Sequence, residues 1–476
     1  LIPITAINPH TLTPKQVQAA LGALLGAAVG DALGAPFEFR LAGLYAQRFP
    51  KAVLGGIGEM VGGGAFNWEP GEFTDDTQMA MALAESIISC RGDFEMENTW
   101  NHFVAWSKQA TDIGNTTSAS LSRSNFRTAA QQAHDAVGQS GGNGCVMRIA
   151  PIGIAGVRWG RARTIEIARL QSSLTHFDPI AGWSAAIAAE VIRACIAGEQ
   201  FARAVSEATQ LVEDDHRDLF TEYLAESWTP DQSDIANGAA FVCLAQAVWA
   251  VRNTSSFEEA VVAAVNLGDD ADTVAAVTGA LAGAVYGIQQ IPVRWTTYLH
   301  GYVNQPDDVQ REYALGDLQD IAYRLLDSEP KHETPLEPII RPTIVHDSGI
   351  YASNMTGADQ MKPEAGIISL CRTYGRLADH PHRREYYIID HDGQNSHLHT
   401  VVTDAVDAID AFLREGREVL VHCHGGRSRT GLVLKAWYMR NFESSHDAAH
   451  DWLTETWPHY VTWSADFWVF LEEEWI

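Results

Sequence analysis

The sequence predicts two domains of different class: an N-terminal all-α, bundle-like domain and a C-terminal α/β sandwich. Three observations carry this. Apolar positions in residues 14–325 recur at helical spacing with little strict alternation. After that point short apolar runs, 366–370 and 417–421, alternate with helical patterns. Between the two lies 328–338, with three prolines among polar residues, the signature of an extended linker. The expected boundaries are 12–327, a linker at 328–338, and 339–476, which would let the halves be separated. A chain of 476 residues is ample for two cores. Histidine usage also changes there, with 12 of the 18 falling after Glu329, which supports separate ancestry.

The first helix is announced by Thr13-Pro14-Lys15-Gln16, a capping box with proline at the first helical position. Glycine at every fourth position, Gly22, Gly26, Gly30 and Gly34, gives a smooth face for a close neighbour. The apolar run 21–34 is too short for a membrane span and Asp31 interrupts it. Further on, Thr74-Asp75-Asp76-Thr77 opens a helical run, and Asp269-Asp270-Ala271-Asp272-Thr273 opens another. Either could be an N-cap with acids that complement the helix dipole. Brought together, they would crowd four or five carboxylates, which cannot all stay ionised without compensating cations. Oxygen ligands of this kind favour two Mg2+ or Mn2+ ions over zinc. The glycine-rich 138–144 loop reads either as a flexible connection or as a backbone cradle for a diphosphate.

In the C-terminal part, Val421-His422-Cys423-His424-Gly425-Gly426-Arg427-Ser428-Arg429-Thr430-Gly431 follows a short buried strand and opens a helix. Freed N–H groups at Gly425 and Gly426, with the positive helix end, suit a phosphate dianion and favour a nucleophilic thiolate. Arg429 would clamp two phosphate oxygens and Thr430 could hydrogen-bond the leaving sulfur. The other cysteines, Cys90, Cys145, Cys195, Cys243 and Cys371, read as structural.

This last segment resembles the His-Cys-x5-Arg-Ser/Thr signature of the tyrosine and dual-specificity phosphatases, over about residues 335–476. The resemblance implies a general acid on a separate loop about thirty residues before the cysteine. Asp392 lies 31 residues before Cys423, and Asp390 is a rival. No cofactor is implied in this domain. Residues 14–325 resemble the ADP-ribosylglycohydrolase family in four ordered segments: Gly30-Asp31-Ala32-Leu33-Gly34-Ala35-Pro36-Phe37-Glu38, Thr74-Asp75-Asp76-Thr77, Asn143-Gly144-Cys145-Val146-Met147-Arg148, and Asp270-Ala271-Asp272-Thr273. Thr175-His176-Phe177-Asp178 is a fifth, weaker match. The resemblance implies metal ligands at Thr74, Asp75, Asp76, Asp270, Asp272 and Thr273, with Glu38 beside the scissile ribose and Asp76 counted among the catalytic groups. It implies substrate contacts at Asn143, Gly144, Met147, Arg148 and His176. Asp269 stands where relatives usually have glycine, which leaves open which of Asp269 and Asp270 faces the metal.

The expected function is a bifunctional hydrolase. One half would cleave an ADP-ribosyl bond to a protein or small-molecule acceptor, and the other would hydrolyse a phosphomonoester. The alternative is an ADP-ribose or phosphate binding module with one domain inactive. A formal charge of −27 argues against general nucleic-acid binding, whose affinity comes mainly from Lys and Arg, and a membrane is not expected as a partner. Six cysteines without Cys-x-x-Cys spacing suggest a reducing cytoplasm.

Overall fold

The computed structural model describes residues 12–328 and 338–475; residues 329–337 of the expected linker lie outside the described residues. The chain divides into two compact units. The first comprises Leu1–Lys51, Glu59–Ile291 and Tyr298–Pro330, and the second Ala52–Gly58, Pro292–Thr297 and Lys331–Ile476.

The first unit is a helical assembly around two central helices, Pro14–Gly34 and Ala271–Tyr286. The capping box forms as the sequence predicts: Gln16 N donates to Thr13 Oγ1, and Thr13 N donates to Gln16 Oε1. The glycine stripe sets the packing distance. Gly22 faces Gly283, Gly26 faces Gly279, Gly30 faces Ala275 and Gly34 faces Asp272, each so closely that an added Cβ would run into backbone atoms. Backbones this close bring Asp31, near the end of the first helix, beside the Asp270-Ala271-Asp272-Thr273 start of the second. Two helical stretches, Pro14–Phe37 and Pro179–Ile196, are long and apolar enough to cross a membrane, longer than the 21–34 run suggested. Their most apolar windows are 100% and 89% buried inside the fold. One departure from an all-helical unit is the hairpin of β1 (His300–Asn304) and β2 (Gln310–Ala314), paired from His300↔Ala314 to Asn304↔Gln310. Its strands are short, and three of the five β2 residues are exposed, so no alternating apolar run marks them.

The second unit carries a five-stranded sheet. Its strands are β3 (Thr343–His346), β4 (Ile350–Asn354), β5 (Gly366–Ser369), β6 (Arg383–Glu385) and β7 (Val419–Cys423), in spatial order β3-β4-β7-β5-β6. The β4-β7, β7-β5 and β5-β6 pairs are parallel, and β3 is an antiparallel edge. Along β7 the side chains alternate. Val419, Val421 and Cys423 join the larger core with helices Leu398–Arg414 and Ser428–Phe442, and Leu420 joins a smaller core with Ile367 and Met355. Two short stretches from earlier in the chain complete the unit. Arg384 Nη2 donates to the carbonyls of Leu54 (3.2 Å) and Gly56 (2.6 Å), Arg383 Nη2 to that of Thr297 (3.1 Å), and Val293 N to Asp404 Oδ2 (2.8 Å).

Candidate active sites

In the first unit, helix Asp75–Ser89 begins at Thr74, but the Thr74 side chain does not cap it. Asp31, from the first helix, does so instead. Its carboxylate accepts from Thr74 N (3.0 Å), Thr77 N (3.0 Å) and Thr77 Oγ1 (2.6 Å). Thr74 Oγ1 is thereby left facing Asp75 Oδ1 and Asp76 Oδ2, at 3.5 Å each. The second motif arrives at the start of helix Ala271–Tyr286, where Thr273 Oγ1 donates to Asp76 Oδ2 (3.3 Å) across 197 residues. Asp31, Asp76 and Asp272 each offer a carboxylate oxygen within 4.8 Å of the others, and all three are buried. Asp270 is held from two sides: Asn143 Nδ2 donates to its Oδ2 (2.9 Å), and its own N donates to Asn237 Oδ1 (3.0 Å). Asp269 is exposed, in the left-handed region, and pairs through its backbone with Arg40.

Burial and mutual repulsion hold protons on this cluster. Desolvation, then neighbouring carboxylates, push Asp75, Asp76 and Asp272 well above the ordinary range. Desolvation lifts Asp31 to about 6, against hydrogen bonds from Thr77 and Thr74 that pull it down. Glu38 rises to about 8 and Asp112 to about 6, both by desolvation first and then by acidic neighbours. Glu38 Oε2 and Asp76 Oδ1 are buried with no hydrogen-bond partner among the described residues. Crowded carboxylates with orphaned oxygens and raised proton affinity suit divalent cations, which would supply the missing positive charge.

The glycine-rich loop closes over His176, whose ring lies against Gly142 and Gly144. Thr175 Oγ1 accepts from Arg148 Nη2 (2.7 Å) and lies 2.8 Å from His176 Nδ1, which ties the imidazole to the buried guanidinium. Burial, then the Arg148 charge, lower His176 to about 3, so the imidazole is neutral at physiological pH. Arg148 itself is committed to the core. Its guanidinium is fully buried, donates to Gln171 Oε1 (2.8 Å) and to Thr175 Oγ1, and lies 4.4 Å from the Phe103 ring centre. Met147 is likewise buried. Asp31, Asp112 and Asn237 also belong to this cluster, though the sequence assigned them no role. Asp31 stands in the first ADP-ribosylglycohydrolase-like segment and interrupts an apolar helix, and no spacing marks Asp112 or Asn237.

In the second unit, Cys423 ends the central strand at the C-terminal edge of the parallel strands, where α/β sheets place their ligands. The loop then turns into helix Ser428–Phe442. Gly426, at φ 67°, passes so close to Ser353 that a side chain would meet its carbonyl oxygen. Trp457 Nε1 donates to the Gly426 carbonyl (2.8 Å), pinning the loop from outside. Arg429 Nη1 donates to the carbonyls of Leu370 (2.9 Å) and Ile388 (3.2 Å), and its Nε lies 3.9 Å from Asp390 Oδ2. The guanidinium is therefore fixed before any phosphate arrives. The Ser428 and Thr430 hydroxyls are buried at the loop with no partner among the described residues. His422 Nε2 bonds Ser369 Oγ (2.8 Å), and burial lowers His422 to about 4. Asp392 lies on an exposed loop, accepting from Ser464 Oγ (2.6 Å) and Asp466 N (3.1 Å), and the Ser464 bond holds it below the usual carboxylate range.

Comparison with known proteins places relatives at both sites. The profile of the ADP-ribosylglycohydrolase family matches residues 12–334, and that of the dual specificity phosphatase catalytic domain matches residues 365–473. The ADP-ribosylarginine hydrolase Tri1 of Serratia proteamaculans is 34% identical over 300 residues, covering 60% of this chain and 77% of its own. The ADP-ribosyl-[dinitrogen reductase] glycohydrolase of Rhodospirillum rubrum is 33% identical over 294 residues, covering 60% of this chain and 92% of its own. A solved structure described as an ADP-ribosylglycohydrolase-related protein complex aligns with a TM-score of 0.50 and 30% identity, over 66% of this chain and 98% of that one.

Proposed function

The chain belongs to the ADP-ribosylglycohydrolase family and carries a dual-specificity-phosphatase-like domain, and from that premise we propose that it has two hydrolytic activities on one polypeptide. The first is metal-dependent cleavage of an ADP-ribosyl N- or O-glycosidic bond, with arginine as the first acceptor to test, since a relative is named as an ADP-ribosylarginine hydrolase. The observation that carries it is the meeting of Asp31, Asp76 and Asp272 within 4.8 Å. Thr74, Asp75, Asp76, Asp270, Asp272 and Thr273 would hold two Mg2+ or Mn2+ ions. Such ions, when bound, orient substrate hydroxyls and make water a stronger nucleophile at neutral pH. The chain's own groups do the rest. Asn143 and Asn237 fix Asp270, Asp31 fixes the Thr74 turn, and the neutral His176 ring lies under the glycine-rich loop that would receive the diphosphate. Glu38, with its raised proton affinity, exchanges a proton at the scissile bond.

The second activity is phosphomonoester hydrolysis. Cys423 Sγ would attack phosphorus, displacing the leaving oxygen as Asp392 gives it a proton; water then cleaves the phosphocysteine and releases phosphate and the free thiol. Arg429, held by the Leu370 and Ile388 carbonyls, would clamp the equatorial oxygens. Asp390 lies near Arg429, with its Oδ2 3.9 Å from Arg429 Nε, and Asp392 is proposed as the proton donor. A nucleophilic Cys423 suits a reducing compartment, and we propose the cytoplasm. The test is a pair of single variants assayed for both reactions. Cys423→Ser should abolish phosphate release and leave ADP-ribose release intact, and Asp76→Asn should do the reverse. A Cys423→Ser protein that still hydrolyses aryl phosphate at the parent rate would refute the cysteine mechanism.

A further inference from the structure

The stretch from Trp457 to Asp466 touches both loops of the phosphatase-like site. On the phosphate-loop side, Trp457 Nε1 donates to the Gly426 carbonyl (2.8 Å), and the Trp463 ring centre lies 5.6 Å from the Arg427 guanidinium. On the acid-loop side, Ser464 Oγ donates to Asp392 Oδ1 (2.6 Å) and Asp466 N donates to the same oxygen (3.1 Å), while Gly393 N donates back to Asp466 Oδ2. Ser464 is buried and its hydroxyl also accepts from Phe467 N (3.4 Å), so its rotamer is set from two directions. Asp392, by contrast, is exposed and follows no strand or helix that would fix it. A loop carboxylate that accepts two hydrogen bonds on one oxygen keeps the other oxygen at a defined angle for a proton.

We propose that Ser464, with the Asp466 amide, positions Asp392 for proton donation and couples the acid loop to the phosphate loop through the Trp457–Asp466 stretch. This rests on the reading of Asp392 as the general acid. Ser464 acts through Asp392 and is a positioning residue. The charged neighbours of Asp392 are His391 on its own loop and Asp466 opposite. Removing the Ser464 hydrogen bond takes away the largest influence that favours the carboxylate form, so the proton would be kept to higher pH while its placement is lost.

The experiment compares Ser464→Ala, Ser464→Thr and Asp392→Asn in the full chain, on an aryl phosphate with a good leaving group and an alkyl phosphate with a poor one. General-acid help is worth about 10²–10⁴-fold where it is needed. Ser464→Ala should therefore lower kcat for the alkyl phosphate at least about tenfold more than for the aryl phosphate, without raising KM. The basic limb of its pH profile should move up, and Ser464→Thr should restore both. The same leaving-group dependence as the parent in Ser464→Ala, alongside a large effect of Asp392→Asn, would overturn the positioning role and leave the general acid in place. An Asp392→Asn protein that is unimpaired on the alkyl phosphate would remove the acid assignment itself, and this inference with it.

Discussion

Asp31, Asp112 and Glu38 hold protons more tightly in the folded chain than free carboxyls do: about 6 for the two aspartates against an ordinary 3.8, and about 8 against 4.5 for the glutamate. A folded state that binds protons the unfolded chain has released loses stability as pH rises. Without cations, stability should fall from about pH 4 through pH 8 as these groups ionise. Cations take the protons' place and bind better as pH rises. The gain in unfolding temperature on adding Mn2+ or Mg2+ should therefore be larger at pH 8 than at pH 5, as thermal denaturation would measure; an equal gain at both would contradict the site. Individual roles were only partly legible. The Thr74-Asp75-Asp76 and Asp270-Asp272-Thr273 motifs are legible as acids that open two helices, although a dipole argument explains either one alone; that they meet is seen only in the fold. Asp31's role was not legible, since its partners Thr74 and Thr77 lie more than forty residues away. Arg148 entered as a substrate contact implied by the family resemblance; its burial against Phe103 and Gln171 follows from tertiary packing that spacing cannot reveal.

At the level of elements, the glycine stripe is the sequence feature that the packing translates most directly. Gly30, next to Asp31, lies against the Ala275 carbonyl, about one turn from Asp272 in the paired helix. Gly30→Ala should force the helices apart, costing about 1–3 kcal/mol for overpacking. It should also weaken cation binding by separating Asp31 from Asp272. Chemical denaturation and a metal titration on the same protein check both; a Gly30→Ala chain with parental stability would mean that the helices can move apart freely. The capping box, the buried strand of Cys423 and the helix that follows it were likewise legible, since each is a local pattern. The β1-β2 hairpin was not, because an exposed strand carries no apolar alternation.

For the whole molecule, the expected separation at 328–338 meets a second unit that includes Ala52–Gly58 and Pro292–Thr297. A fragment begun at 339 would lack the Leu54, Gly56 and Thr297 carbonyls that Arg383 and Arg384 use. Buried guanidinium groups that lose some of their acceptors are costly. The linear order of motifs gave no sign of this, because the two short stretches lie within the ADP-ribosylglycohydrolase match and carry no phosphatase signature. Tests of two activities therefore belong on the intact chain. The most direct is a chelator titration of the intact 476-residue chain that follows ADP-ribose release from ADP-ribosylarginine and phosphate release from an aryl phosphate in one buffer. The account predicts that ADP-ribose release falls to background and returns with Mn2+ or Mg2+, while phosphate release is unchanged throughout. Loss of both activities, or persistence of ADP-ribose release in excess chelator, would contradict it.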